Sequence, residues 1–315
     1  MKTEITFESA KVHIGRKLEY FIQTSGENIG YPSLRDDRFG VLHPENEIPR
    51  KEYPLYVVFH SAGHDLESTL QCMVTPGDHD IYHTPDDSFA LVLDCKKHDD
   101  TDWWWGGIDA HGKGNPARSG TNLMPVETRC IESIEWTLNS FPIDRERVYA
   151  VGNSMGGSGA LGIALRRGDL FAAIKANVPA GVRHAADRCC LDKSSPNGFT
   201  IPDPPIVVDY SAQNDDWSEG QRFYTVQCAS ISISYSAFSD RSGMKTTIRR
   251  SMRSMILFIL LIFQPSRFTK HIPSLQALLQ TILFRGRMDL TGRIRDRSTD
   301  FSAGTLLKTA IQSSK

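Results

Sequence analysis

The first part of the chain alternates short apolar runs with stretches of helical spacing. In Ile5-Thr6-Phe7 and Leu18-Glu19-Tyr20-Phe21-Ile22, apolar and polar positions exchange with a period near two. That is the mark of strands with one solvated face, and it predicts an antiparallel N-terminal pair. Three runs then lack any charged position: Leu55-Tyr56-Val57-Val58-Phe59, Phe89-Ala90-Leu91-Val92-Leu93 and Val148-Tyr149-Ala150-Val151. Strands of this kind are buried on both faces, as in the middle of a parallel sheet. Between the last two, Val126, Cys130, Ile131, Ile134, Trp136 and Leu138 recur at helical spacing behind an acidic first turn, predicting a helix over residues 126–141. A further run, Pro205-Ile206-Val207-Val208-Asp209-Tyr210, follows a loop rich in Pro, Asp and Ser. Strand alternating with helix predicts an α/β protein with a mostly parallel central sheet and helices on both faces. In such a sheet chemistry belongs at the carboxyl ends of the strands.

Residues 147–160 read Arg-Val-Tyr-Ala-Val-Gly-Asn-Ser-Met-Gly-Gly-Ser-Gly-Ala. A β-branched run enters a G-x-S-x-G centred on Ser154, and small residues lead straight into a helical pattern. This strand, sharp turn and helix form a nucleophile elbow: the turn lifts the serine hydroxyl above the sheet, and the helix N-terminus favours developing negative charge.

Bulk properties narrow the function classes. The net charge of -1 gives no pull toward nucleic acid or an anionic membrane. Lys2, Glu4, Glu8, Lys11 and Arg16 interrupt the first twenty residues, so no signal-peptide apolar region is present, and the expectation is a cytoplasmic chain or the mature form of a secreted one. The six cysteines have no metal-ligand spacing, and Cys189 and Cys190 are too close to bridge each other in the ordinary way. Buried apolar roles are expected for most of them rather than a disulfide framework.

The distribution of charge is more informative than its total. From Gln227 to the end there are 14 Lys+Arg and 4 Asp+Glu, against 22 and 33 before it. The last glutamate is Glu219 and the last tryptophan Trp217. The chain therefore reads as a core over residues 1–226 followed by a compositionally foreign segment, 227–315.

Candidate chemistry lies where the buried runs end. After Phe59 comes His60-Ser61-Ala62-Gly63-His64. The backbone N–H of Ala62, with that of Met155, is placed to hold a tetrahedral oxyanion, and losing one such donor costs about 3 kcal/mol of barrier. His60 and His64 read as loop histidines rather than acid–base groups, with His60 facing the substrate side. Three adjacent tryptophans, Trp103, Trp104 and Trp105, point in different directions in any loop, so Trp104 and Trp105 are expected to line a cleft suited to a sugar ring or an aryl acyl group. After Tyr210 the chain reads Ser211-Ala212-Gln213-Asn214-Asp215-Asp216-Trp217. Asp215 is the first choice for a triad acid and Asp216 the second.

Together the elbow, the His60–Gly63 loop and the Asp215 turn make residues 1–226 resemble an α/β-hydrolase. Within that superfamily they are similar to the serine esterases related to polyhydroxyalkanoate depolymerases and to feruloyl or acetylxylan esterases. The resemblance implies a serine nucleophile, a histidine base, an acyl-enzyme, a small-molecule or carbohydrate ester as substrate, and no cofactor. Oligomeric state stays open.

The histidine departs from the family pattern. Such enzymes carry it in a Gly-His loop after the last strand, whereas beyond Asp215 this chain has only His271, in Phe-Thr-Lys-His-Ile-Pro. Residues 255–263 suit a last strand and are too short to span a membrane. A shift of reading frame explains more. Codons built from the last base of each residue's codon and the first two of the next let residues 239–248 read Gly-Pro-Phe-Gly-His-Glu-Asn-Asn-Asn, which supplies the missing Gly-His. On this reading the tail is an out-of-frame translation and packs poorly on the core. Three functions compete: an esterase using Ser154, a peptidase of the same fold, and a binding protein that keeps the cleft without the base.

Overall fold

In the computed structural model the two N-terminal stretches pair as antiparallel strands, β1 (Glu4–His13) and β2 (Arg16–Ser25). The structure describes residues 3–74, 82–95, 103–104, 123–179, 205–212 and 235–240, all within the unit Met1–Met255. The three uncharged runs become β4 (Tyr53–Phe59), β5 (Phe89–Val92) and β6 (Ile143–Asn153). The 126–141 pattern becomes helix α2 (Pro125–Ser140), with Pro125 at its first turn and Glu127 accepting from the Met124 N–H. The run after Pro205 becomes β8 (Ile206–Ala212).

Three further elements carry too little apolar contrast to be read from the sequence. Strand β3 (Arg35–Leu42) opens with charged residues, and its buried Asp37 is satisfied by a fork from Arg35 at 2.7 and 2.8 Å. A paired charge is tolerated where a lone one is not. Helix α1 (Leu66–Cys72) is short and set by a capping box between Asp65 and Ser68. Strand β7 (Ala173–Asn177) is five residues long and carries a buried Lys175.

Among the described residues nine strands form one sheet in the order β1-β2-β3-β5-β4-β6-β7-β8-β9, with β9 at Tyr235–Asp240. From β1 to β5 neighbours are antiparallel; from β5 through β4, β6, β7 and β8 to β9 they are parallel. Every residue of β4 is buried, so both faces of the sheet are covered. Leu55, Val57 and Phe59 share one core with Cys130, Ile131 and Ile134 of α2 and with Ala160, Leu161 and Ile163 of helix α3 (Met155–Arg166). Cys72, Cys95 and Cys130 are buried and in no disulfide among the described residues. Among the described residues no helix is long and apolar enough to cross a membrane.

Strand β9 lies past Gln227, in the segment expected to pack poorly on the core, and it pairs with β8. Within the strand Tyr235-Ser236-Ala237 alternates apolar and polar positions, which suffices for a short pairing whatever the wider composition. The run 255–263 lies outside the described residues.

Candidate active site

The parallel registers align the carboxyl ends of three strands. Phe59 of β4 is opposite Gly152 of β6, and Asn153 of β6 is opposite Asn177 of β7. Ser154 follows directly, between the end of β6 and the start of α3, with φ 53° and ψ −118°. A non-glycine residue held there costs on the order of 1–3 kcal/mol, which the surrounding packing must offset. Two glycines make the turn possible by what they lack. A Cβ on Gly152 would lie 2.0 Å from the Gly156 carbonyl oxygen, and one on Gly156 would lie 2.0 Å from the Phe59 oxygen and 2.6 Å from that of His60. The start of α3 is therefore pressed onto both β6 and the end of β4. Gly156→Ala is expected to destabilise the protein by about 1–3 kcal/mol or more through forced displacement of β4 backbone, read as a lower thermal midpoint, whereas an unchanged midpoint contradicts this packing.

Ser154 occupies the position of a helix N-cap, where a serine hydroxyl ordinarily accepts from the first turn. It makes no such bond. Its backbone N–H instead donates to the Asn177 oxygen at 2.9 Å, and its carbonyl accepts from Ser158 at 3.2 Å. The side chain is half-buried between buried neighbours. Among the described residues the N–H groups of Met155 and Ala62 have no protein acceptor. Met155 is buried and Ala62 exposed.

Behind these donors lies a buried polar network that sequence patterns do not reveal. The Ser61 hydroxyl donates to the Asn153 carbonyl at 2.9 Å and accepts from Asn153 Nδ2 at 2.7 Å and from the Tyr82 hydroxyl at 3.0 Å. The Ser61 N–H donates back to Tyr82 Oη at 2.8 Å. Asn177 Nδ2 donates to Asn153 Oδ1. Burial pushes the Tyr82 phenol up to about 12, against the lowering effect of its bonds to Ser61, so it remains a neutral donor near pH 7. Asn153 sits inside the recognised motif, yet partners 92 residues away leave no local signal.

Two expected substrate contacts are corrected. His60 is 1% exposed. Its Nδ1 donates to the Ser61 carbonyl at 2.8 Å, and its Nε2 lies 3.2 Å from the Cys95 N and 3.3 Å from Asp94 Oδ1; both ring nitrogens are committed inside the protein. Trp104 is fully buried: its indole N–H donates to the His60 carbonyl at 2.9 Å, and its ring meets Phe59 edge-on at 5.1 Å. It packs on Gly159 of α3, where any Cβ would come within 2.5 Å of it. A polar N–H with a backbone acceptor lets tryptophan be core, so this one wedges the helix against β4 rather than lining a cleft. Trp105, Asp215, Asp216 and His271 lie outside the described residues. Among the described residues no group of His, Cys, Asp and Glu is arranged to hold a metal ion.

Comparison with known proteins bears on the fold and the family. No curated protein sequence matches the chain. Solved structures share its fold: S-formylglutathione hydrolase from Staphylococcus aureus (TM-score 0.51, 12% identity, covering 77% of this chain and 98% of that one), its counterpart from Agrobacterium tumefaciens (0.53, 15%, 80% and 98%), and an acetyl xylan esterase from Paenibacillus sp. R4 (0.54, 11%, 82% and 87%). The sequence profile of the esterase family matches residues 35–229, ending beside the compositional break at Gln227. The chain belongs to that family, the carboxylic ester hydrolases of the α/β-hydrolase fold.

Proposed function

We propose that Ser154 is the nucleophile of a serine esterase acting on small or carbohydrate-linked esters. The observation that carries this is the Ser154 backbone, held at positive φ between glycines that admit no Cβ while its hydroxyl is withheld from helix capping. A helix start needs none of that strain; a hydroxyl that must project from the sheet edge does. In the reaction a base takes the Ser154 proton as Oγ attacks the ester carbonyl. The N–H groups of Ala62 and Met155 hold the oxyanion, the alcohol leaves with a proton, and water then hydrolyses the acyl-serine. The neighbouring folds named for S-formylglutathione and acetyl xylan support small acyl groups on varied alcohols or thiols. The test is covalent labelling by a fluorophosphonate, mapped to the peptide carrying Ser154, with turnover of p-nitrophenyl acetate and none of aminoacyl anilides. Anilide turnover exceeding ester turnover supports a peptidase instead.

Asp215 is assigned to orient the base, since it follows β8 at the carboxyl edge of the sheet. In an enzyme with a complete triad, Asp215→Asn is expected to lower kcat by roughly 10⁴-fold, as loss of such an aspartate does elsewhere, and to leave the thermal midpoint unchanged. If Asp216→Asn has that effect and Asp215→Asn does not, the neighbour is the acid.

The base is the open position. Among the described residues no histidine is bonded to Ser154. The Gly-His of the shifted frame falls at codons 242–244, just past Asp240, the end of β9. That is where the family resemblance puts the histidine. Its place supports reading the segment from Gln227 as out of frame, with the chain as written keeping the cleft and the nucleophile but not the full triad.

A further inference from the structure

We infer that the Ser61 hydroxyl is a positioning group for the oxyanion hole, locking its two donors, which lie on separate elements, into one rigid unit. This rests on the reading of Ser154 as nucleophile. The Ala62 N–H and the Ser61 C=O belong to one planar peptide group, so fixing the carbonyl fixes the direction of the N–H. That carbonyl accepts from His60 Nδ1 at 2.8 Å and from the His64 N–H at 3.2 Å. The loop peptide is thus held in orientation, but neither bond relates it to the elbow.

Ser61 Oγ provides that relation. A hydroxyl has one donor and two acceptor sites, and here all three are used: the proton on the Asn153 carbonyl, the lone pairs on Asn153 Nδ2 and the Tyr82 hydroxyl. The Asn153 carbonyl belongs to the peptide group that also carries the Ser154 N–H, and that N–H is fixed on Asn177. The peptide after it carries the second donor, Met155. Ser61 is therefore one residue from the first donor and bonded to the peptide preceding the second. Ser61, Tyr82, Asn153 and Asn177 are all buried, where such bonds are not exchanged with water and small displacements are resisted. A preorganised hole depends on this, because its donors must already point at the place the oxyanion will occupy. The network also gives His60 its role: it orients the loop peptide and does not touch substrate.

The experiment places Ser61→Ala, Ser61→Thr and Tyr82→Phe in the chain with its reading frame restored near Gln227, which supplies the base, and uses p-nitrophenyl acetate and its thiono analogue, whose sulfur accepts hydrogen bonds poorly. Losing one oxyanion donor outright costs about 10²–10³ in kcat, so loosening one is expected to cost Ser61→Ala roughly 10- to 100-fold in kcat on the oxoester. KM should stay unchanged, and the oxo-to-thiono rate ratio should shrink by a similar factor. Tyr82→Phe should move both in the same direction by less, and Ser61→Thr, which keeps the hydroxyl, should recover most of the ratio. Equal loss on both substrates, or no loss, overturns the inference while Ser154 stays the labelled nucleophile. A frame-restored parent that neither turns over ester nor takes a fluorophosphonate at Ser154 overturns the nucleophile reading, and this inference with it.

Discussion

In the chain with its reading frame restored near Gln227, Ser154→Ala is expected to abolish fluorophosphonate labelling and to bring ester hydrolysis down to what the oxyanion hole and binding alone provide. In a complete triad, loss of the serine removes on the order of 10⁶ in kcat. The substitution should be structurally mild. Ser154 is half-buried, and its hydroxyl makes no capping bond to α3, while the backbone bonds to Asn177 and from Ser158 survive the change. Alanine keeps a Cβ, so the strain at φ 53° remains and the thermal midpoint should shift little. The measurement is intact-protein mass after probe treatment, paired with initial rates on p-nitrophenyl acetate. Undiminished labelling in Ser154→Ala, or labelling that maps to another serine, sinks the assignment.

The second large effect is expected from the reading frame. Restoring it near Gln227 brings a Gly-His loop to the end of the sheet, and ester turnover should rise by roughly 10³-fold or more over the chain as written, since removing a triad histidine costs at least that much. His271→Ala should leave the original chain's rate unchanged. The restored protein should also show less apolar surface to hydrophobic dyes, because a segment matched to the core replaces one that is not. The nucleotide sequence over codons 220–245 gives an independent check. If the chain as written hydrolyses short esters as fast as the restored one, and His271→Ala abolishes that rate, the tail is genuine and supplies the base itself.

What could be read from residue order was whatever rests on local periodicity. The runs at residues 55–59, 89–93 and 148–151 carry no charge, so they had few ways to be anything but buried strands, and β4, β5 and β6 follow. The elbow was legible because its constraint is steric and local: Gly152 and Gly156 are separated from Ser154 by one residue each, and their missing Cβ atoms make the turn. Strands β3 and β7 were not legible, since Asp37 and Lys175 look like surface residues until tertiary partners are supplied. Trp104 and His60 were placed on the substrate side for the converse reason. A polar atom in a loop suggests solvent, and only the folded chain brings the His60 carbonyl to the indole and the Cys95 amide to the imidazole. The Ser61–Asn153 contact joins residues 92 positions apart. Residue order alone determined that a serine would stand at a strand-to-helix turn, because that depends on backbone sterics over a few residues. Tertiary structure decided which polar groups meet behind it, because hydrogen bonds between distant segments exist only once parallel pairing has brought their ends to the same edge of the sheet.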